Sequence, residues 1–346
     1  MDNKIIENLG IPYMGSKRKL SKKLIDFMLK ENPNAKYFYD IFGGGGAMSF
    51  QALQRPKIKK VFYNEFNNGV VNLLKDIKEN GITDKYFQWI DRETFQEQKT
   101  QDTWLGGLCK VVWSFGNNQR DYMYGKDIEN DKYLLHKIIV NQCKESLKEF
   151  NSKFSLNINL DYESSLFGYE ESINTRRLRV MNQVKYNTRQ RIDLQHLQQL
   201  QHLEHLQQLE QLERLEHLQR LERLEQLEQL ERLQQLNITN LSYEKVEITT
   251  PISETIIYLD PPYEDTAKYQ KNICHKDFYR WVDTLTAKGY QIYISSYESH
   301  LPCVLELKHI CSLSATSKNQ VTEKLFTNKV LVKKLDIKEQ IQASLF

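Results

Sequence analysis

A carboxylate, two prolines and an aromatic ring, Asp260-Pro261-Pro262-Tyr263, close the apolar run Ile256-Ile257-Tyr258-Leu259. The run reads as a buried parallel strand, and the prolines stop it. Ligands bind at the carboxyl edge of open α/β sheets. One chemistry suits these four residues there. An exocyclic amine on a nucleobase is a poor nucleophile, because its lone pair is delocalised into the ring. The Asp260 carboxylate and the Pro261 carbonyl can both accept its hydrogens and make that lone pair available, while Tyr263 stacks on the base. Pro262 and Pro261 fix the backbone and so the direction of the carbonyl; positioning supplies most of the catalysis in such a scheme. The same tetrapeptide also fits a strand-ending turn with no chemistry.

Three more stretches offer groups to such a site. Near the amino terminus, Pro12 and Gly15 turn the chain between Tyr13 and Lys17, ahead of a helix with Leu20, Leu24, Phe27 and Met28 on one face. This is either a surface helix capped by Ser16 or a loop that presents Tyr13 and Lys17 to a carboxylate. Next, the strand-forming run 36–42 contains Asp40 and Phe42 and leads into Gly43 to Gly46, followed by helix-forming residues 47–53. Glycine at Gly44 and Gly46 lets the backbone approach a ligand. A third glycine for a full dinucleotide fingerprint is missing, since Ser49 stands there, and this favours a nucleoside ligand without phosphates. Glu65 then ends a second strand, 60–64, about 20 residues on, where an acidic side chain can accept both ribose hydroxyls. A solvated strand end is the plainer alternative for Glu65.

Residues 81–190 differ in character, with helical patches among polar, aromatic loops. Trp113, Asn117, Asn118, Gln119, Arg120 and Tyr122 crowd into one short run. Asn and Gln can read adenine edges, Arg can read guanine, and aromatics can fill the gap left by a displaced base. Arg176 and Arg177 open a basic cluster suited to phosphates. A helical insertion with a solvated charged face explains the same residues without a ligand.

From Leu194 to Leu236 leucine occupies every third position, with Gln, Glu, His or Arg between. The composition favours a helix, roughly 65 Å long if continuous. Three residues turn such a helix by about 300°, so the leucines should wind around it and lie exposed on all sides. We expect an insertion without chemistry, whose four histidines hold no metal and whose repeat number is tolerated within limits; it offers a possible surface for self-association. The stretch carries a net −4, against +3 for the 346-residue chain, which leaves a more basic body suited to nucleic acid. Five cysteines without a C-x-x-C pair argue against a disulfide framework and a zinc site. A polar start and the lack of an apolar run of about 18 residues point to a cytoplasmic protein with no membrane span.

After the repeat, 237–241 and the run before Asp260 read as strands, 275–287 as a helix and 290–296 as a strand. Leu307–Leu313 and Val330–Leu335 are expected to form a closing antiparallel pair. Strands alternating with helices imply an α/β fold, mostly parallel with an antiparallel edge. The expected organisation is a first part over 1–80, a mainly helical recognition region over 81–190, the repeat over 191–236 and a second part over 237–346.

Asp40-Ile-Phe-Gly-Gly-Gly-Gly46, Asp260-Pro-Pro-Tyr263 and Tyr13-Met-Gly-Ser-Lys17, in this order along the chain, resemble the motifs of Dam-type (D12 class) DNA adenine methyltransferases. The resemblance implies a Rossmann-like methyltransferase fold. It also implies transfer of methyl from S-adenosylmethionine to the N6 of an adenine flipped out of double-stranded DNA, in a bacterial or phage-encoded protein with a possible cognate restriction endonuclease. Tyr13 and Lys17 would contact the cofactor, with Lys17 near its carboxylate. Asp40, Phe42, Gly44 and Gly46 would shape the pocket, Glu65 would hold the ribose, and Asp260 would meet both cofactor and amine. Glu65 stands where aspartate is more usual. Two rivals remain: a same-fold enzyme acting on RNA or a protein amide, where Asn more often replaces Asp260, and a non-catalytic interaction protein built on the leucine repeat.

Overall fold

A computed structural model of the chain describes residues 5–160, 172–194, 215–228, 232–262, 273–312 and 318–329. It divides into two compact units, Met1–Lys78 with Leu230–Phe346, and Glu79–Gln229. The leucine repeat is therefore shared between them. No described helix is long and apolar enough to cross a membrane.

The first unit is built on a seven-stranded sheet in the order β3-β2-β1-β4-β5-β7-β6. Its strands are β1 (Tyr37–Asp40), β2 (Lys60–Asn64), β3 (Leu236–Thr239), β4 (Thr255–Leu259), β5 (Gln291–Ser296), β6 (Cys303–Ser312) and β7 (Lys318–Thr327). The first five run parallel, and β7 lies antiparallel between β5 and β6. This is the expected Rossmann-like α/β arrangement, mostly parallel with an antiparallel edge. Every residue of β4 is buried, which explains why it carries no alternating polar positions. Tyr39, Ile257, Phe278, Val282, Ile292 and Ile294 share one core cluster. Helices α1 (Arg18–Glu31), α2 (Ala47–Leu53) and α3 (Asn68–Asn80) follow the first loops. Between β1 and β4 the chain order reverses, and a crevice at such a reversal is where open α/β sheets take ligands.

The closing pair differs from expectation. The partner of β6 is Lys318–Thr327, while Val330–Leu335 lies outside the described residues. Lys318–Thr327 is mostly polar and charged, so it lacks the apolar signal by which strands are recognised. Only its last part is central: Leu325 and Phe326 are buried and face Ser295 and Ile294 of β5.

The second unit is helical, with α4 (Arg92–Gln98), α5 (Trp104–Val112), α6 (Glu129–Ile139), α7 (Lys144–Phe154), α8 (Ile173–Leu194) and α9 (Glu216–Glu228). Helix α9 is the described part of the repeat within this unit, and it corrects the expectation of exposed leucine. Leu215, Leu218, Leu221, Leu224 and Leu227 are all at most 1% exposed. The winding leucines find apolar partners as the helix packs against α8 and α5. Nor is His217 filler. Its ring is buried among Trp89, Trp113, Tyr124 and His136, and Nε2 lies 3.0 Å from Nδ1 of His136. Burial pushes both imidazoles down, His136 to about 3, so both are neutral. Arg220 of the same helix donates to the carbonyls of Val112 (2.9 Å) and Ser114 (2.7 Å), at the carboxyl end of α5. In the first unit Arg232, near the end of the repeat, caps the carboxyl end of α2 through the carbonyls of Leu53 (3.1 Å), Arg55 (2.8 Å) and Ile58.

Truncating a leucine of α9 should therefore cost core stability. Leu221→Ala is expected to lose about 2–5 kcal/mol, and Gln219→Ala, on the exposed side, less than about 0.5 kcal/mol. Urea unfolding followed by tryptophan fluorescence, which reports Trp89 and Trp113 beside this helix, measures the difference.

Candidate active site

The site gathers at the carboxyl edge of the parallel strands, where β1 ends in Asp40, β2 in Asn64, and Asp260 directly follows β4. The loop before α1 closes over them, pinned to the glycine turn by a bond from the Ile11 N–H to the Gly45 carbonyl of 2.9 Å. Asn64 ties the edge together. It donates to the carbonyls of Ile41 (3.1 Å) and Leu241 (3.0 Å) and accepts from Thr239 Oγ1 (2.9 Å) and the Leu241 N–H (2.9 Å).

The glycine turn needs its glycines for backbone reasons. Gly44 and Gly46 have φ of +49° and +75°, a region that costs other residues energy. A Cβ on Gly44 would also meet the Tyr13 ring at 3.1 Å. Gly46 precedes α2 and brings no side chain to cap it. Asp40 substitutes for a cap from the end of β1: its Oδ2 accepts from the Ser49 hydroxyl (2.7 Å) and N–H (3.2 Å) in the first turn of α2. Asp40 is 1% exposed, and burial, reinforced by the nearby Asp260 and Glu65 charges, raises its carboxyl from 3.8 to about 7 against the Ser49 bonds.

Glu65 is also buried, immediately after β2. Its carboxylate accepts from the Gly44 N–H (2.8 Å), the Asn67 N–H (2.8 Å) and the Tyr13 hydroxyl (3.3 Å). Burial raises its carboxyl, and these bonds oppose the rise. Tyr13, Gly44 and Glu65, far apart in sequence, thus form one contact group. Phe66, next to Glu65, is 54% exposed and offers an apolar face there. Phe42 is half-buried among Tyr243 and Phe278, a wall of the core below the turn.

Lys17 is 8% exposed, and its Nζ lies 2.9 Å from both Oδ1 and Oδ2 of Asp260. The structure thus brings together the two ends of the expected constellation, 243 positions apart in sequence. Helix α1 begins at Arg18 with Lys17 at its cap position, and Ser16 provides no cap. Pro261 is buried, Pro262 half-buried, and Tyr263 lies outside the described residues. Sequence reasoning missed Phe66, Ser295 and Glu323. Glu323 of β7 stands 3.6 Å from Lys17 Nζ and accepts from the Ser295 hydroxyl at 3.0 Å.

In the second unit the expected DNA-contacting residues fall into two groups. Trp113 and Tyr122 are core residues, stacked on one another, and the Tyr122 hydroxyl donates to the Ile90 carbonyl at 2.8 Å. Arg176 is buried and donates to the Val140 carbonyl at 3.2 Å, past the end of α6, while Arg177 pairs with Glu222 at 3.1 Å. These four hold the unit together. The others sit on a tight loop that starts and ends at the paired Ser114 and Tyr122. Asn118 shapes it by accepting from the N–H groups of Arg120 (2.9 Å) and Asp121 (3.0 Å). Asn117 and Gln119 have φ of +59° and +62°, Arg120 is exposed, and Phe115, an aromatic of the same run, is 62% exposed.

A sequence model described as the D12 class N6 adenine-specific DNA methyltransferase family matches residues 13–105 and 102–280 of the chain. Among solved structures, a Haemophilus influenzae protein described as a candidate methylase aligns over 92% of this chain and 98% of its own, at 10% identity and a TM-score of 0.27. No curated protein matches the chain.

The raised Asp40 carboxyl has a consequence for stability. A carboxyl that binds its proton more tightly when folded stabilises fully below about 3.8, and this contribution is lost as pH rises to about 7. The parent protein should therefore lose stability over that window relative to Asp40→Asn, by up to about 1.4 kcal/mol per pH unit. Melting curves of both proteins at successive pH values check the sign and the window.

Proposed function

The chain belongs to the D12 class of N6 adenine-specific DNA methyltransferases, and from that premise we propose that it moves a methyl group from S-adenosylmethionine to N6 of an adenine turned out of double-stranded DNA. The observation that carries this reading is the pair of Lys17 and Asp260, set at the edge where the sheet reverses and beside the Tyr13, Gly44 and Glu65 group.

The residues present fit the cofactor. A ribose calls for an acceptor such as Glu65, whose orientation is fixed by two backbone N–H groups. An adenine ring calls for an apolar face such as the exposed Phe66. The turn at Gly44 keeps side-chain bulk away from that corner, with Tyr13 as its other wall. When bound, S-adenosylmethionine supplies an electrophilic methyl group. The protein's part is then to position and polarise the acceptor amine. Lys17 keeps Asp260 a charged acceptor. The Asp260 carboxylate takes one amine hydrogen and the Pro261 carbonyl the other, which localises the nitrogen lone pair. Asp260 orients the amine in this scheme and is not a strong base. Tyr263 would stack on the base. Asp40 keeps the glycine turn and α2 in register behind them.

For the DNA, the loop 115–121 is the part of the second unit best suited to reading bases: Asn117, Gln119 and Arg120 supply the polar groups, and the exposed Phe115 is the aromatic available to fill the space of a displaced base.

Incubation with methyl-labelled S-adenosylmethionine and duplex DNA, RNA or protein should label DNA alone, as N6-methyladenine. Asp260→Ala should lower the rate at least about hundredfold while the protein stays folded by circular dichroism. Label in RNA or protein with none in DNA would overturn the reading.

A further inference from the structure

We propose that Glu323 is a positioning residue for amine methylation, a second anchor for the Lys17 ammonium that lets Asp260 turn to the substrate amine. The inference rests on the reaction proposed above. Glu323 comes from β7, the antiparallel strand, far in sequence from the motif-bearing loops. Its carboxylate is 5% exposed and fixed by the hydroxyl of the fully buried Ser295 at 3.0 Å. It lies 3.6 Å from Lys17 Nζ, against 2.9 Å for Asp260.

A buried ammonium between two carboxylates behaves differently from a simple pair. If Asp260 were the sole partner of Lys17, any rotation of Asp260 toward an amine would leave a buried cation uncompensated, which is costly in a medium of low dielectric. Glu323 supplies the standing counter-charge. Lys17 keeps a partner throughout, and the Asp260 oxygens become available for the amine hydrogens. Ser295 holds Glu323 on its strand, so that Lys17 shifts by little. Among the described residues, Asp40 at the end of β1 and Tyr258 of β4 also feel the Asp260 charge.

The test uses the full chain, methyl-labelled S-adenosylmethionine and adenine-containing duplex DNA under single-turnover conditions. Glu323→Gln retains the size and the acceptor for Ser295 and removes the charge. It should leave cofactor affinity, read by equilibrium dialysis, within about threefold and lower the single-turnover rate by about tenfold or more. The acid limb of its pH–rate profile should move to lower pH, because a negative charge near Asp260 is gone. Glu323→Asp should recover most of the rate and the parent profile. Should Glu323→Gln fail to fold, Ser295→Ala takes its place, with a smaller loss of rate at unchanged cofactor affinity. A parent-like rate in these variants, or a loss of rate matched by loss of cofactor affinity with no movement of the profile, overturns the role of Glu323. A parent protein that labels no DNA overturns the reaction itself, and that failure is visible before any variant is compared.

Discussion

The ion pair between Lys17 and Asp260 sets the demand that the rest of the first unit meets. Both groups are largely removed from water, and a pair of this kind is tolerable only when its geometry is held firmly. Holding it takes three parts of the fold at once. The loop before α1 is fastened to the glycine turn through Gly45. The turn is fastened to β2 through Tyr63, whose hydroxyl donates to the Gly44 carbonyl at 2.7 Å. Strand β4 is fixed by parallel neighbours on both sides.

Around that pair the sheet edge accumulates negative charge, and the fold handles each carboxylate differently. Glu65 is surrounded by donors from the backbone and Tyr13. Asp260 faces an ammonium. Asp40 accepts from the Ser49 hydroxyl and N–H, and burial still raises its carboxyl to about 7. The three positions are chemically alike in sequence and distinct in place, so that one holds a helix, one gathers backbone donors and one faces an ammonium.

The central strands and the convergence of Tyr13, Lys17, Glu65 and Asp260 were legible because parallel strands end at a common edge: each motif that closes a strand or precedes the first helix is delivered to the same place. Glu323 was not legible by that logic. An antiparallel strand reaches the edge within its own span and not at its end, so no turn or proline marks the residue that arrives there. The aromatic run around Trp113 was legible as unusual but not as to purpose, since a small helical unit needs aromatic rings in its core as much as a DNA surface needs them outside. Within α9, periodicity alone described where the leucines point and not what surrounds them.

The repeat has a property that follows from its anchors. His217 and Arg220 set the rotational phase of α9 against its neighbours; His217 is the one histidine of that helix, while Arg223 repeats the place of Arg220 one triplet on. In a continuous α-helix, each triplet gained or lost turns everything beyond it by about 60°, and only about six triplets, five full turns, bring the same faces back. A coding sequence this regular can slip in steps of three residues. The buried histidine therefore works as an index mark: it picks out one leucine triplet of the helix and fixes which face meets the neighbouring core.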